Sequence, residues 1–384
     1  MISLARKLGH FLLFARTAQQ QSGKNLLQQL RDIHALRGMG GQCGVSDYYQ
    51  FKLYDRAYLS GRGHEDYLGW RLQEKFNLAL NPRYAVLPAW DKMVFTMIAT
   101  ATGLPVAPTL ACFHPANRLS EVFGLHLKNR EEVGRFIRNP AVYPLFGKPA
   151  FSQQGHGAAY LLAYDALTDS LTQLNGISLS ADEFLNRVEQ TVDSRYHKPE
   201  CGYIFQEPLT LAPEIHALTN WSAICGVRII CLNGSEGVLP ISAAFKIAVS
   251  PNQVDNFSGG KYGNLNAQID LATGEIKRVL NAYWPQAELL LNHPVTGHRL
   301  EGFKLPHWQL LLDICHRAGA VFPLMKVHHW DFALTDKGPI ILELNDLGGI
   351  DIDQAYGVGL LTVATRKFLK QNVDAIAHPW VRAL

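Results

Sequence analysis

A chain of 384 residues is long enough for two or three structural units, and 47% hydrophobic with 18% charged residues is ordinary globular composition. A formal charge of +3 without a run of lysine or arginine gives no argument for nucleic acid, and we expect none as a partner. The six cysteines form no Cys-x-x-Cys pair, so we expect no zinc site and no disulfide framework, but reduced thiols in a cytoplasmic protein.

Residues 1–20 have the spacing of an amphipathic helix. Its apolar positions are Leu4, Leu8, Phe11, Leu12 and Ala15. This stretch is too short to span a bilayer, and no cleavage site follows it, so we expect no transmembrane segment. A helix docked on the rest of the chain is the favoured interpretation, and weak contact with a membrane surface is the alternative.

The pattern changes from mostly helical to mixed at about residue 87. Before it, Asp47 is predicted to lie near the cap of a helix over 48–54. After it, we predict helices over 91–102, 181–193, 306–318 and 355–370, and strands over 143–149, 158–164, 203–206, 227–232 and 238–250. Two further strands lie between the last two helices. The mixture predicts an α+β or α/β fold.

The most informative segment is a predicted hairpin over 327–345. A three-residue turn over 336–338, with its glycine in the left-handed region, places Asp331 opposite Glu343. Because side chains alternate along a strand, Asn345 shares a face with Glu343. Two adjacent carboxylates repel each other unless a proton or cation lies between them, and magnesium prefers such oxygen ligands together with substrate phosphates. The segment is therefore a candidate magnesium site, and a surface hairpin with solvated acids is the alternative.

A candidate phosphate site follows the strand that ends at Lys148. The loop 152–157 comes next and contains Ser152 and Gly155. A lysine charge beside the backbone N–H groups of a glycine loop is able to hold phosphate, although a lysine at a plain strand end has the same appearance. The Gly-x-x-x-x-Gly-Lys-Ser/Thr pattern of a P-loop does not occur.

The buried strand over 203–206 leads into a proline hinge. Backbone groups around Gln206, Glu207 and Leu209 are placed to meet the edge of an adenine, and Glu214 to meet ribose hydroxyls. A simple strand end and a surface acid are the alternatives.

Two cationic residues, Arg228 and Lys246, stand within apolar strands, where each needs an anionic partner. Each is either part of a structural ion pair or, together across a hairpin, the cationic half of a phosphoryl-transfer site.

In this order, the elements resemble the ATP-grasp superfamily, most closely its sugar-transfer-associated branch. The segment that begins at Asp91 and Lys92 resembles the opening helix of the ATP-grasp domain. Lys148 with its loop resembles the phosphate-binding lysine and flap, although the loop is poorer in glycine and serine than usual. The likeness to the branch rests on 254–260 and 330–346.

The remaining site residues are assigned by the same resemblance. The stretch 207–209 is similar to the adenine hinge, and Glu214 to the ribose-binding acid. Asp331, Glu343 and Asn345 are similar to the magnesium triad.

The resemblance implies an ATP-grasp fold in which two α+β subdomains grip ATP. The expected regions are a mostly helical part over 1–87, a subdomain with the phosphate-binding lysine over 88–206, and a subdomain with the magnesium site over 207–384. ATP and Mg²⁺ are the implied cofactors.

The implied reaction is a ligation that activates a carboxylate as an acyl phosphate and joins it to an amine or thiol, in glycan or peptide-type small-molecule biosynthesis. Lys148 would hold the ATP phosphates and Arg228 would stabilise the acyl phosphate. The partners are then two small molecules, the carboxylate and the nucleophile, and the sequence indicates no oligomeric state. A kinase acting on a sugar or similar acceptor and a non-catalytic ATP-binding scaffold are the alternatives.

Overall fold

The computed structural model of the chain describes residues 4–59, 63–116, 118–152, 155–189 and 202–384. They form two β-sheets, with helices on both and a helical region at the N-terminus. This architecture confirms the mixed helix-and-sheet class predicted from the sequence. The predicted region boundaries at 87/88 and 206/207 stay predictions.

The N-terminal region is helical, as predicted. It contains α1 (Leu4–Ser22), α2 (Leu26–Gly38), α3 (Val45–Gln50) and α4 (Trp70–Leu80). Helix α1 docks through Ala15 and Ala18, which are buried, whereas Leu12 and Leu13 are 50% and 56% exposed. No helix among the described residues is both long and apolar enough to cross a membrane. Weak contact of residues 1–20 with a membrane surface stays a prediction.

The helix predicted over 48–54 has the wrong bounds, because α3 begins at Val45 and ends at Gln50. Asp47 lies in its first turn, near the cap as predicted. The Asp47 carboxylate accepts hydrogen bonds from the backbone N–H groups of Gly44 at 2.7 Å and Trp70 at 3.1 Å. It therefore ties the start of α3 to the start of α4.

The first sheet has seven strands in the order β2-β1-β7-β3-β4-β5-β6. They are β1 (Thr109–Phe113), β2 (Leu125–Leu127), β3 (Leu145–Pro149), β4 (Ala159–Asp165), β5 (Ser170–Gln173), β6 (Ser178–Ser180) and β7 (Tyr203–Gln206). Helices α7 (Arg130–Ile137) and α8 (Ala181–Glu189) cover one face. The predicted extension of the second helix beyond residue 189 lies outside the described residues.

Two short helices precede this sheet. They are α5 (Leu87–Trp90) and α6 (Lys92–Ala101). Asp91 caps α6, because its carboxylate accepts hydrogen bonds from the N–H groups of Met93 and Val94. The helix predicted over 91–102 is confirmed, and Lys92 stands at its first residue.

The second sheet has six strands in the order β11-β10-β9-β8-β12-β13. They are β8 (Gly226–Gly234), β9 (Gly237–Ile247), β10 (Leu265–Ile269), β11 (Ile276–Leu280), β12 (Val327–Thr335) and β13 (Gly338–Asn345). Helices α9 (Pro213–Thr219) and α10 (Trp308–Val321) pack on one face in the largest apolar cluster. The backbone crosses from the first sheet to the second at 207–212, where Ala212 N–H donates to Leu334 O at 3.0 Å.

The single helix predicted over 355–370 is wrong. The structure has two helices, α11 (Asp351–Gln354) and α12 (Val363–Asn372). Between them Gly357 has φ +81°, a left-handed conformation that ends a right-handed helix.

Candidate active site

The hairpin of β12 and β13 brings Asp331 opposite Glu343, as predicted. The predicted turn, however, is one residue too long, because Thr335 pairs directly with Gly338. A bulge at Leu342 adds one residue to β13 and restores the register beyond it. The predicted pairing of Asp331 with Glu343 is therefore correct, although the predicted length of the turn is wrong.

Asn345 joins the two carboxylates. Its amide Nδ2 lies 3.3 Å from Asp331 Oδ2 and 3.4 Å from Glu343 Oε1. The Asp331 side chain is 2% exposed, whereas that of Glu343 is 30% exposed. The three side chains thus meet at one point, with Glu343 as the accessible member.

Arg228 and Lys246 lie directly beside Asp331. The guanidinium of Arg228 donates to both carboxylate oxygens of Asp331, from Nε at 2.9 Å and from Nη2 at 2.5 Å. Lys246 Nζ lies 3.2 Å from Asp331 Oδ1. Burial alone would raise the pKa of Asp331, but the charges of Arg228 and Lys246 outweigh it and hold the pKa well below its ordinary value. This carboxylate stays ionised.

Two further lysines line the same site. Lys148 lies on strand β3 of the first sheet, and Lys92 lies on helix α6. Lys92 Nζ donates to the backbone oxygen of Ser152 at 2.7 Å and lies 3.6 Å from Glu343 Oε2. Burial, and then the nearby charge of Lys92, lower the pKa of Lys148 to about 8, while Glu343 opposes this. Gly155, in the adjoining loop, has φ +69°, which suits glycine. A negative partner between Lys92 and Lys148 would relieve their repulsion.

These residues line one cavity of about 690 Å³, within the usual range for small-molecule sites. Nine of the residues singled out from the sequence are on its wall: Lys92, Lys148, Ser152, Gly155, Arg228, Lys246, Asp331, Glu343 and Asn345. The cavity lies between the two sheets, and its wall places the four cations next to the paired carboxylates.

The sequence pattern of the sugar-transfer-associated ATP-grasp family matches residues 71–368 of the chain. The chain belongs to this family. The resemblance noted in the sequence is thereby confirmed. No curated protein matches the chain.

The chain is also similar, at low sequence identity, to solved structures of other proteins. D-alanyl-alanine synthetase A from Vibrio cholerae is 12% identical with a TM-score of 0.39, and the match covers 78% of this chain and 65% of that one. The VanG D-Ala:D-Ser ligase from Enterococcus faecalis is 12% identical with a TM-score of 0.42, and the match covers 79% of this chain and 68% of that one. The biotin carboxylase domain of 2-oxoglutarate carboxylase from Hydrogenobacter thermophilus is 12% identical with a TM-score of 0.37, and the match covers 76% of this chain and 49% of that one. These likenesses concern the fold alone.

Four predicted residues of this ATP-grasp protein do not line the cavity. Gln206 is buried, and its Nε2 donates to Ala107 O at 3.0 Å. Leu209 is half-buried, and Glu207 and Glu214 are exposed. The segment that carries them is the crossing between the sheets, and its role as an adenine hinge stays a prediction.

Sequence reasoning gave no individual role to Asp255. Its carboxylate accepts from Gly226 N–H at 2.7 Å and lies 3.7 Å from Lys246 Nζ. Burial raises the pKa of Asp255 despite Lys246. A side chain at Gly226 would place its Cβ 2.5 Å from this carboxylate. The glycine at the start of β8 is therefore the sequence feature that could have indicated a close contact there.

Proposed function

We propose that this family member is an ATP- and magnesium-dependent ligase that converts a carboxylate into an acyl phosphate and joins it to an amine or thiol. The observation that carries the proposal is the single cavity in which Asp331, Glu343 and Asn345 adjoin Arg228 and Lys246. Synthesis of a glycan or peptide-type small molecule in the cytoplasm is part of the same proposal.

The phosphates of ATP fit the side of the cavity that holds Lys92 and Lys148. Both lysines line it, and Lys92 also anchors the backbone at Ser152. A phosphate chain supplies the negative charge that would keep Lys148 protonated against its burial. We assign the ATP phosphates to these two side chains on this basis.

The carboxylate hairpin fits Mg²⁺. No group of three or more His, Cys, Asp or Glu side chains in the described part of the chain is arranged to hold a metal. Two carboxylates and one amide suit magnesium, which completes its ligands with phosphate oxygens and water. Glu343, the accessible acid, and the amide oxygen of Asn345 after rotation would hold the ion together with Asp331. When bound, Mg²⁺ neutralises charge on the β- and γ-phosphates.

The cations then serve the reacting groups. A substrate carboxylate oxygen attacks the γ-phosphorus, and the bond from that phosphorus to the β–γ bridging oxygen breaks, which releases ADP. Arg228 and Lys246 offer fixed positive charge to the acyl phosphate that results, within a partly buried site where such charge acts strongly. The nucleophile displaces phosphate from the acyl carbon. Positioning and electrostatics suffice, and no protein nucleophile is required.

The experiment supplies MgATP, hydroxylamine and one carboxylate at a time, taken from amino acids, sugar acids and dicarboxylic acids. Hydroxylamine reacts with an acyl phosphate to give a hydroxamate, so we expect carboxylate-dependent ADP and an equal amount of hydroxamate. The variant Glu343→Gln serves as the control and should form neither at a comparable rate. Phosphate retained on an acceptor hydroxyl would instead indicate a kinase. ATP binding without ADP from any carboxylate would indicate a scaffold.

A further inference from the structure

The two N-terminal helices, α1 and α2, pack on one aromatic cluster. In α1 the rings of Phe11 and Phe14 contact the ring of Tyr49. In α2 the buried Gln29 accepts a hydrogen bond from Tyr49 Oη at 2.9 Å, and its Nε2 donates to Ala15 O of α1 at 2.9 Å. Because both helices turn one face to the same cluster, their opposite faces lie side by side on the same side of the molecule.

The outward faces of these helices carry leucines. Helix α1 contributes Leu12 and Leu13, and helix α2 contributes Leu26, Leu27 and Leu30, which are 39%, 58% and 44% exposed. We call these five residues the leucine face. It is not the face through which α1 docks on the protein. A single exposed leucine is normal on a protein surface, whereas several together mark a surface that contacts something else.

The leucine face lies in a basic part of the chain. Residues 1–40 contain six of the 36 lysine and arginine residues but only one of the 33 acids, so the remainder of the chain has slightly more acids than bases. That one acid, Asp32, is already paired with Lys24 at 2.6 Å. Arg16 and Arg31 are exposed one helical turn beyond leucines of α1 and α2, respectively. The surface therefore combines apolar side chains with positive charge that no acid of this region compensates.

We propose that the leucine face of α1 and α2 binds the surface of a membrane that contains anionic phospholipids. The leucines enter the boundary between head groups and acyl chains, and Arg16 and Arg31 contact the lipid phosphates. The charge of the surface decides between occupants. A second copy of this chain would bring two positively charged surfaces together, which costs free energy. An anionic lipid surface offers both the apolar layer and the negative charge that this face requires.

The membrane contact is separate from the candidate active site. The cavity is lined by residues from Ala89 onwards, and no described residue of α1 or α2 is on its wall. The inference therefore does not depend on the proposed ligase function, and its test needs neither ATP nor a carboxylate. Its consequence for the protein is that the cavity would be held next to a lipid surface.

Flotation of the full-length protein with lipid vesicles measures the binding. One kind of vesicle contains phosphatidylglycerol and phosphatidylcholine in equal parts, and the other contains phosphatidylcholine alone. We compare wild type with two double variants, Leu13→Gln with Leu27→Gln and Arg16→Glu with Arg31→Glu. All four side chains are exposed, and glutamine and glutamate are good helix formers, so both variants should stay folded. Thermal melting without vesicles checks the fold.

Wild type should bind the mixed vesicles about tenfold more tightly than the neutral ones, and added salt should weaken this binding. Each double variant should bind the mixed vesicles about tenfold more weakly than wild type, or weaker still. The matched control is Leu310→Gln with Leu324→Gln, which removes two exposed leucines in and just after helix α10. It should bind as wild type does.

Two results of the flotation would overturn the inference. They are equal binding of wild type to both kinds of vesicle, including no binding to either, and unchanged binding of the leucine variant to the mixed vesicles. Analytical ultracentrifugation without vesicles tests another occupant, because a wild-type dimer that the leucine variant converts to a monomer would assign the face to a second copy instead. Binding to polyglutamate that is as tight as binding to the mixed vesicles would assign it to an acidic protein.

Discussion

Replacing Lys148 with methionine is expected to stabilise the protein without nucleotide and to abolish its response to ATP. Burial, and then the charge of Lys92, lower the pKa of Lys148 from 10.5 to about 8. A pKa lowered by about 2.5 corresponds to about 3 kcal/mol, because one pKa unit is worth about 1.4 kcal/mol. This is the cost of keeping Lys148 charged in the folded protein.

The pH dependence follows from the direction of that shift. Below pH 8 Lys148 is protonated in both the folded and the unfolded chain, so the whole cost is present. Between pH 8 and pH 10.5 the folded protein loses this proton first, and the cost fades. Methionine at position 148 should therefore raise the free energy of unfolding by up to about 3 kcal/mol at pH 7 and by almost nothing above pH 10.5.

Urea unfolding of wild type and Lys148→Met at pH 7 and pH 10.5 measures this difference. Thermal melting with and without MgATP measures the response to ligand, which should be present in wild type and absent in the variant. Lys367→Met is the matched control, because Lys367 is an exposed lysine paired with Glu236, and its loss should change stability by less than about 0.5 kcal/mol. A Lys148→Met variant that is destabilised at pH 7 and keeps its MgATP response would refute the reasoning.

Three further substitutions test separate parts of the site. Glu343→Gln should slow turnover by about two to three orders of magnitude, since about 3–4 kcal/mol of transition-state stabilisation is lost, while melting without nucleotide changes little; ADP release and melting measure both. Arg228→Met should lower the free energy of unfolding by about 3–5 kcal/mol in urea titrations, because Asp331 would stay buried without its main partner. Gln354→Leu removes both bonds to the buried backbone of Leu68 and should lower the free energy of unfolding by about 1–3 kcal/mol in urea titrations. Normal turnover of the first variant, or unchanged unfolding of either of the other two, would contradict these expectations.

Most helices and strands were predicted from local sequence patterns, because each of them depends mainly on the residues of its own segment. Strand β7 was predicted at its observed bounds, since four consecutive buried residues before a proline leave little alternative. The hairpin turn was predicted one residue too long, because sequence does not show which residue of a strand will bulge. The C-terminal helix failed at Gly357, whose left-handed conformation is seen only once the chain is folded.

The residues of the candidate site are likewise of two kinds: some stand in a local sequence pattern, and others join the site only through the fold. Lys148, Asp331 and Glu343 are recognisable in sequence because each stands in a short pattern with a physical reason. Asp255 was missed because its contact with Gly226 joins residues 29 positions apart in the chain. That contact depends on how the segment after β9 folds back onto the start of β8, which no local pattern shows.

The function proposed for this cavity is the transfer of the γ-phosphoryl group of ATP to a carboxylate. The direct test gives the protein MgATP, an amine acceptor and a carboxylate labelled with ¹⁸O in both oxygens, and follows the label in the released phosphate by mass spectrometry or ³¹P NMR. Attack by the carboxylate followed by cleavage at the acyl carbon predicts one labelled oxygen in each phosphate formed. Phosphate without label, formed while the amide accumulates, would contradict the acyl phosphate and the account of the site built on it.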